Sequence, residues 1–173
     1  MQRSNLLKGA LVSLVGLTTL LLIGVPVMQS YTPALPGAAF VYPIVSARLS
    51  SKFGNRRHPI YKSVKHHNGV DLAAPEGAPI RAIADGTVVF ADPHKGYGNL
   101  VVINHGDGLT SHYGHCHTMK VQPGMRIGAG QIIATVGKTG NVTGPHLHLE
   151  IREKGKPKNP KSFLPFLNAK AQG

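Results

Sequence analysis

His146-Leu147-His148-Leu149-Glu150-Ile151 alternates polar and aliphatic residues without interruption. Successive side chains of a strand point to opposite faces. The spacing therefore predicts a β-strand with His146, His148 and Glu150 on one face and Leu147, Leu149 and Ile151 on the other. The aliphatic face can anchor the strand on a core while the polar face presents two imidazoles and a carboxylate. Such a strand suits metal ligation, which needs rigidly held ligands and neighbours that orient them. For this stretch alone a solvated His/Glu edge is the competing reading.

The second half of the pattern is His67-Asn68-Gly69-Val70-Asp71. Residues four apart share a face on a helix and, less closely, on a strand, but Asn-Gly disfavours a helix interior, so a turn running into a strand is expected. The helical H-E-x-x-H motif of thermolysin-like enzymes occurs nowhere in the chain. His67, Asp71 and His148 together would form a tetrahedral zinc site of two imidazoles and one carboxylate. Its fourth position would stay open to water, which is the pattern of catalytic zinc.

Composition and punctuation predict an all-β domain with an antiparallel sheet core. The 173 residues include 21 glycines and 13 prolines, with little helical periodicity. Strands are expected at Thr87 to Phe90, Leu100 to Ile103, Thr110 to His115, Gln131 to Val136 and His146 to Ile151. Turn signals at Asp85-Gly86, His94-Lys95-Gly96, Asp107-Gly108, Gln122-Pro123-Gly124 and Thr139-Gly140-Asn141 separate them. The single cysteine, Cys116, excludes an internal disulfide and a paired-cysteine zinc ribbon. As the strand neighbour of His115 and His117 it should face away from both, which argues against a cysteine nucleophile. Gly137-Lys138-Thr139 lacks the upstream glycine of a phosphate-binding loop, since position 132 is Ile132, and reads as a turn.

The N-terminus stands apart. Arg3 and Lys8 precede an uncharged stretch from Gly9 to Met28, about the length that crosses a hydrocarbon core. Residues 1–30 are thus expected to be a cytoplasmic stub with a transmembrane helix that leaves the remainder outside. A cleaved signal peptide is the alternative, with Ser30 or Ala39 near the cut. Residues 31–42 read as a linker, 43–165 as the domain and 166–173 as a tail.

The formal net charge is +12, and Arg3 and Lys8 are the only basic residues before Gly9. The exported part is itself cationic and favours an anionic polymer. Nucleic acid is disfavoured as that polymer. The basic residues are scattered, no nucleic-acid-binding motif is present, and the leader removes the domain from the cytosol.

Phe53-Gly54-Asn55-Arg56-Arg57-His58-Pro59, His67 to Asp71, Tyr113-Gly114-His115 and Thr143-Gly144-Pro145-His146-Leu147-His148-Leu149-Glu150 occur in this order. Over about residues 43–165 the chain resembles the lysostaphin/LytM-type zinc metallopeptidases, which cleave peptidoglycan peptides. The resemblance implies one Zn2+ per chain on His67, Asp71 and His148, with His115 and His146 as non-ligand catalytic histidines. It implies peptidoglycan peptides as substrate, with a D-alanyl to diaminopimelate cross-link in a Gram-negative periplasm as the expected target. The domain would be held there by the inner-membrane anchor, or secreted if the leader is cleaved. Non-catalytic relatives that bind wall or activate an amidase are the alternative. They typically lose zinc ligands, whereas this chain retains all three. Cys116 departs from the aliphatic residue more usual after that histidine, a change of packing only.

The residues agree with that chemistry. Zinc lowers the pKa of a bound water to about 7, so a water nucleophile is available without a separate strong base. Stabilising the oxyanion and moving a proton to the leaving amine then fall to His115 and His146, in roles the sequence does not divide. Glu150 is expected to orient His148 as a hydrogen-bond acceptor, not to bind metal. Tyr113 is either an oxyanion donor or a buried structural tyrosine. His117 is placed beside the site by sharing the face of His115, and Arg57 by the resemblance, with a surface arginine as its alternative. His66 should point away from the metal.

Overall fold

The computed structural model describes residues 40–57 and 64–168. Twelve strands follow one another: β1 (Arg48–Ser51), β2 (Gly54–Arg57), β3 (Val64–His67), β4 (Val70–Ala73), β5 (Pro79–Arg81), β6 (Gly86–His94), β7 (Gly98–Gly106), β8 (Leu109–Met119), β9 (Arg126–Ile127), β10 (Ile132–Val136), β11 (His146–Glu153) and β12 (Lys156–Lys158). Two short 3₁₀ turns, Pro160–Ser162 and Pro165–Asn168, are the only helical elements among the described residues. The main sheet runs β1-β4-β11-β8-β7-β6-β9. β10 joins β5 to β8, β12 pairs with β11, and β2-β3 form a separate ribbon. Every pairing is antiparallel.

The expected all-β antiparallel core is therefore what forms, and each of the five anticipated strands lies within or overlaps an observed one. Leu147, Leu149 and Ile151 are buried in the core, as the alternation of β11 requires. The polar face of β11 is buried as well at His148 and Glu150, the latter only 1% exposed. In β7, Leu100 to Ile103 are all buried, the mark of a strand covered on both faces. Asp107 and Gly108 both take positive φ (49° and 76°) between β7 and β8, as a two-residue primed hairpin turn demands.

The folded domain reaches beyond the boundaries expected for it. Phe40 packs edge-on against Phe163, and the Val41 amide donates to the Ile83 carbonyl at 2.8 Å, so residues 40–42 belong to the domain and not to a linker. Leu167, assigned to the tail, is buried in the core. No described helix is long and apolar enough to cross a membrane, and the expected span at residues 9–28 lies outside the described residues.

Gly69 shows how backbone spacing sets the position of the site. A methyl group there would overlap the Leu149 carbonyl oxygen and come within 2.9 Å of Glu150 Cγ, so only glycine lets this bend lie against β11. Gly69→Ala is expected to destabilise the fold by roughly 1–3 kcal/mol through overpacking. Gly144→Ala, where the added methyl meets nothing within 4 Å, is expected to be near neutral. Urea unfolding of the two variants checks this, and equal midpoints would contradict it.

Candidate metal centre

β3 ends on His67, the chain bends at Asn68-Gly69 and continues in the same direction, and β4 carries Asp71. β4 pairs with β11 in a register that sets Asp71 directly opposite His148. All three residues are buried. His148 Nδ1 lies 2.8 Å from Asp71 Oδ1 and 3.1 Å from His67 Nε2, and His67 Nε2 lies 3.1 Å from Asp71 Oδ1. The structure thus brings together the three residues read as ligands from the sequence, in one compact triangle of donor atoms.

The far side of each imidazole fixes which nitrogen faces the triangle. His67 Nδ1 is 2.9 Å from the Lys52 carbonyl oxygen, so it donates there and leaves Nε2 as a lone pair. His148 Nε2 donates to Glu150 Oε1 at 3.0 Å. Two imidazole lone pairs and a carboxylate oxygen then converge, an arrangement that calls for a cation. Ligands at 2.0–2.1 Å in a tetrahedron lie about 3.3 Å apart, close to the separations here, so the donor set fits Zn2+ in both chemistry and spacing. When no metal is bound, a proton on His148 Nδ1 serves as that cation. Burial works against charge on His148, yet its hydrogen bonds to Asp71 and Glu150 outweigh this and push its pKa up to about 9. Asp71 is desolvated, but the hydrogen bonds from His148 and His67 hold it well below the usual carboxylate range.

Glu150 takes the orienting place expected of it, with two further partners. Tyr97 Oη donates to Glu150 Oε1 at 2.7 Å, and Arg152 Nε donates to Oε2 at 2.7 Å. Burial opposes the charge on Glu150, but these bonds and His148 lower its pKa to about 2. Arg152 lies two residues past Glu150 on the same strand face, so the alternation that marked His148 and Glu150 extended to it. Tyr97 comes from the turn between β6 and β7, and no sequence signal marked it.

His146 and His115 flank the triangle, their ring centroids 4.8 Å apart. His146 Nδ1 donates to the Gly144 carbonyl at 2.8 Å, and its Nε2 lies 3.7 Å from Asp71 Oδ1. His115 Nδ1 donates to the Thr139 carbonyl at 2.8 Å, which leaves Nε2 as its free nitrogen. Burial, reinforced by His146 and His148, lowers the His115 pKa to about 4, so it is neutral at pH 7. An open cleft of about 320 Å³ lies over these groups, with Lys65, Asn68, Tyr97, Asn141 and Thr143 among its other lining residues.

His115 reaches the cleft through a β-bulge. β7 pairs Val101 with Tyr113 but Asn99 with Cys116, so Leu100 stands across from both Gly114 and His115. His115 adopts φ 63°, and its side chain comes out on the cleft side while Tyr113 enters the core. Tyr113 is consequently a structural residue and not an oxyanion donor: its hydroxyl accepts from the Ile83 amide and from Ser111 Oγ, each at 2.9 Å. His117 does not join the site either, because its exposed ring turns to Glu76 at 3.2 Å. Cys116 is buried with its Sγ on the Tyr113 carbonyl, and burial raises its thiol to about 12. His66 is turned from the triangle toward Asn55 but still lines the cleft. Arg57 belongs to β2, and its side chain lies outside the described residues.

Fold and site together have the form of a β-sheet peptidase with a candidate metal centre. Residues 65–160 match peptidase family M23, and the chain belongs to that family. It is 44% identical over 126 residues to the DD-carboxypeptidase/endopeptidase Mpg of Neisseria meningitidis, covering 73% of this chain and 29% of that protein. It is 47% identical over 100 residues to the murein hydrolase activator NlpD of Salmonella typhimurium, covering 57% and 26%. Among solved structures, a zinc containing peptidase from Vibrio cholerae superposes with a TM-score of 0.65 at 38% identity, covering 70% of this chain and 39% of that one. The chain spans less than a third of the length of these two curated relatives.

Metal binding would displace the proton that His148 Nδ1 donates to Asp71, while Nε2 keeps its proton on Glu150. Zn2+ added to the metal-free protein at pH 7.5 is expected to release at least one proton, with a further fraction from ionisation of a zinc-bound water, read by calorimetry in buffers of different ionisation enthalpy. The stabilisation that this proton gives the metal-free fold is fully present below the ordinary histidine range. It is lost as pH rises through about 9, because the folded-state pKa is the raised one. Zinc binding without proton release at pH 7.5 would contradict the assignment.

Proposed function

We propose that the protein is a zinc-dependent endopeptidase that hydrolyses peptide cross-links of bacterial peptidoglycan. The observation that carries this reading is the intact set around one cleft: three convergent donor atoms and two further imidazoles whose Nδ1–H groups are tied to backbone carbonyls. His67 Nε2, Asp71 Oδ1 and His148 Nδ1 would hold Zn2+, which would supply Lewis acidity toward a water, with a pKa lowered to about 7, and toward the scissile carbonyl. His115 keeps Nε2 as its free nitrogen, and His146 turns its Nε2 toward Asp71 Oδ1 at 3.7 Å. Neutral His115 is suited to accept a proton, and an imidazole protonated in this way can donate to the oxyanion or to the leaving amine. Glu150 holds His148 in the required tautomer.

The likeness to a murein hydrolase activator favours a second reading, a non-catalytic module that binds wall or acts on a partner. The complete donor set and the ordered support behind it favour the enzyme, since an activator needs neither. Incubating the purified full chain with cross-linked muropeptides, with and without Zn2+, separates the two by mass spectrometry. Zinc-dependent conversion of dimers to monomers supports the peptidase. Stoichiometric zinc without cleavage of any muropeptide contradicts it.

Substituting His67, Asp71 or His148 by Ala is expected to remove most of the metal and essentially all hydrolysis. His115→Ala and His146→Ala are expected to retain zinc while turnover falls by roughly 10²-fold or more. Metal content by atomic emission, measured beside activity, checks the division of roles. Loss of zinc in either of the last two variants would make that histidine a ligand.

The protein is further proposed to sit in the bacterial inner membrane with its domain in the periplasm, on the strength of the apolar run at residues 9–28 and the positive charge before it. Fractionation is expected to find the full-length chain in membranes and resistant to high-salt washing, because an apolar anchor is insensitive to screening. A soluble form beginning near Tyr31 or Phe40 would show instead a cleaved leader.

A further inference from the structure

We propose that Tyr97 is a positioning residue for the metal centre, its hydroxyl holding Glu150 in place behind His148. The proposal rests on the zinc reading of His67, Asp71 and His148. Glu150 Oε1 accepts from both His148 Nε2 at 3.0 Å and Tyr97 Oη at 2.7 Å. On the other side of the carboxylate, Arg152 Nε and Nη2 lie 2.7 Å and 2.6 Å from Oε2. Among the described residues the tyrosine hydroxyl is the one donor besides His148 on Oε1, opposite the guanidinium on Oε2. Arg152 Nη2 also donates to Tyr97 Oη at 3.1 Å, which closes a ring of three side chains. The single proton of Tyr97 is thus committed to Glu150, so the residue supports a ligand and is not an oxyanion donor, although it lines the cleft.

The rest of Tyr97 fits the same role. Its ring fills the space that the missing side chain of Gly114 leaves beside His148: a Cβ on Gly114 would lie 3.2 Å from Tyr97 Cδ1 and 3.5 Å from His148 Cβ. Its main-chain carbonyl accepts the His115 amide at 2.7 Å, at the bulge that turns His115 into the cleft. One residue of the β6-β7 turn therefore touches both halves of the site, the ligand support through its side chain and His115 through its backbone.

Titration of the full chain with Zn2+ against a chromophoric chelator tests this, using wild type, Tyr97→Phe, Glu150→Gln and the double variant. Tyr97→Phe is expected to weaken zinc binding roughly 10-fold or more, the usual scale for the loss of an outer-shell partner. In the Glu150→Gln background the same change is expected to cost less than about 2-fold, because the residue acts through Glu150. Wild-type affinity in Tyr97→Phe, with only a lowered melting temperature, would show a merely structural tyrosine and overturn the proposal. An undiminished loss in the Glu150→Gln background would overturn it too. Wild-type protein that binds no zinc would sink the metal reading along with it, an outcome distinct from both.

Discussion

The β4-β11 pairing is the constraint on which the site depends. Once Asp71 stands across from His148, a carboxylate and an imidazole are forced together in a nearly dry interior, and His67 is brought to the same point by a two-residue bend. Burying such groups is costly unless each is paired, and here the outer nitrogens of His67 and His148 have acceptors while their inner nitrogens crowd against Asp71 Oδ1. A cation at that point resolves the conflict. A proton can occupy it, and the spacing of the donors suits a small divalent metal better.

Around this centre the fold separates rigid parts from shaped ones. β11 is anchored through Leu147, Leu149 and Ile151, so the ligand strand cannot move without disturbing the core. The cleft walls come instead from connections: the β6-β7 turn, the β10-β11 loop and the β2-β3 ribbon. The first two are stitched to each other and to β8. Asn141 N–H donates to the Gly96 carbonyl, and Thr139 Oγ1 accepts from the Asn99 amide and donates to the Cys116 carbonyl. These bonds also deliver the Thr139 carbonyl that orients His115. Placing the catalytic-type histidines on such a braced frame leaves room for loop variation in substrate choice without loss of the centre.

Much of this was legible in the sequence because it depends on local periodicity. The alternation from His146 to Ile151 set both faces of β11, and Asn68-Gly69 marked the break between His67 and Asp71, which the structure makes a bend between collinear strands. What the sequence concealed depends on long-range pairing. Strict alternation puts Tyr113 and His115 on one face, and the bulge at Gly114-His115, set by the register against β7, separates them. The same strict reading drew His117 toward the site. Tyr97 sits in a glycine-flanked turn that reads as punctuation, and its contact with Glu150 spans 53 residues of chain. The short strands β1, β5, β9 and β12 carry too few residues for a periodic signal and owe their existence to neighbours.

X-ray absorption at the zinc edge of the purified full chain tests the central claim most directly. The account predicts one zinc per chain with nitrogen and oxygen neighbours only, at about 2.0–2.1 Å, and the outer-shell scattering of two imidazoles. A sulfur neighbour near 2.3 Å, a single imidazole, or a purified protein that retains no zinc when it is supplied would contradict it.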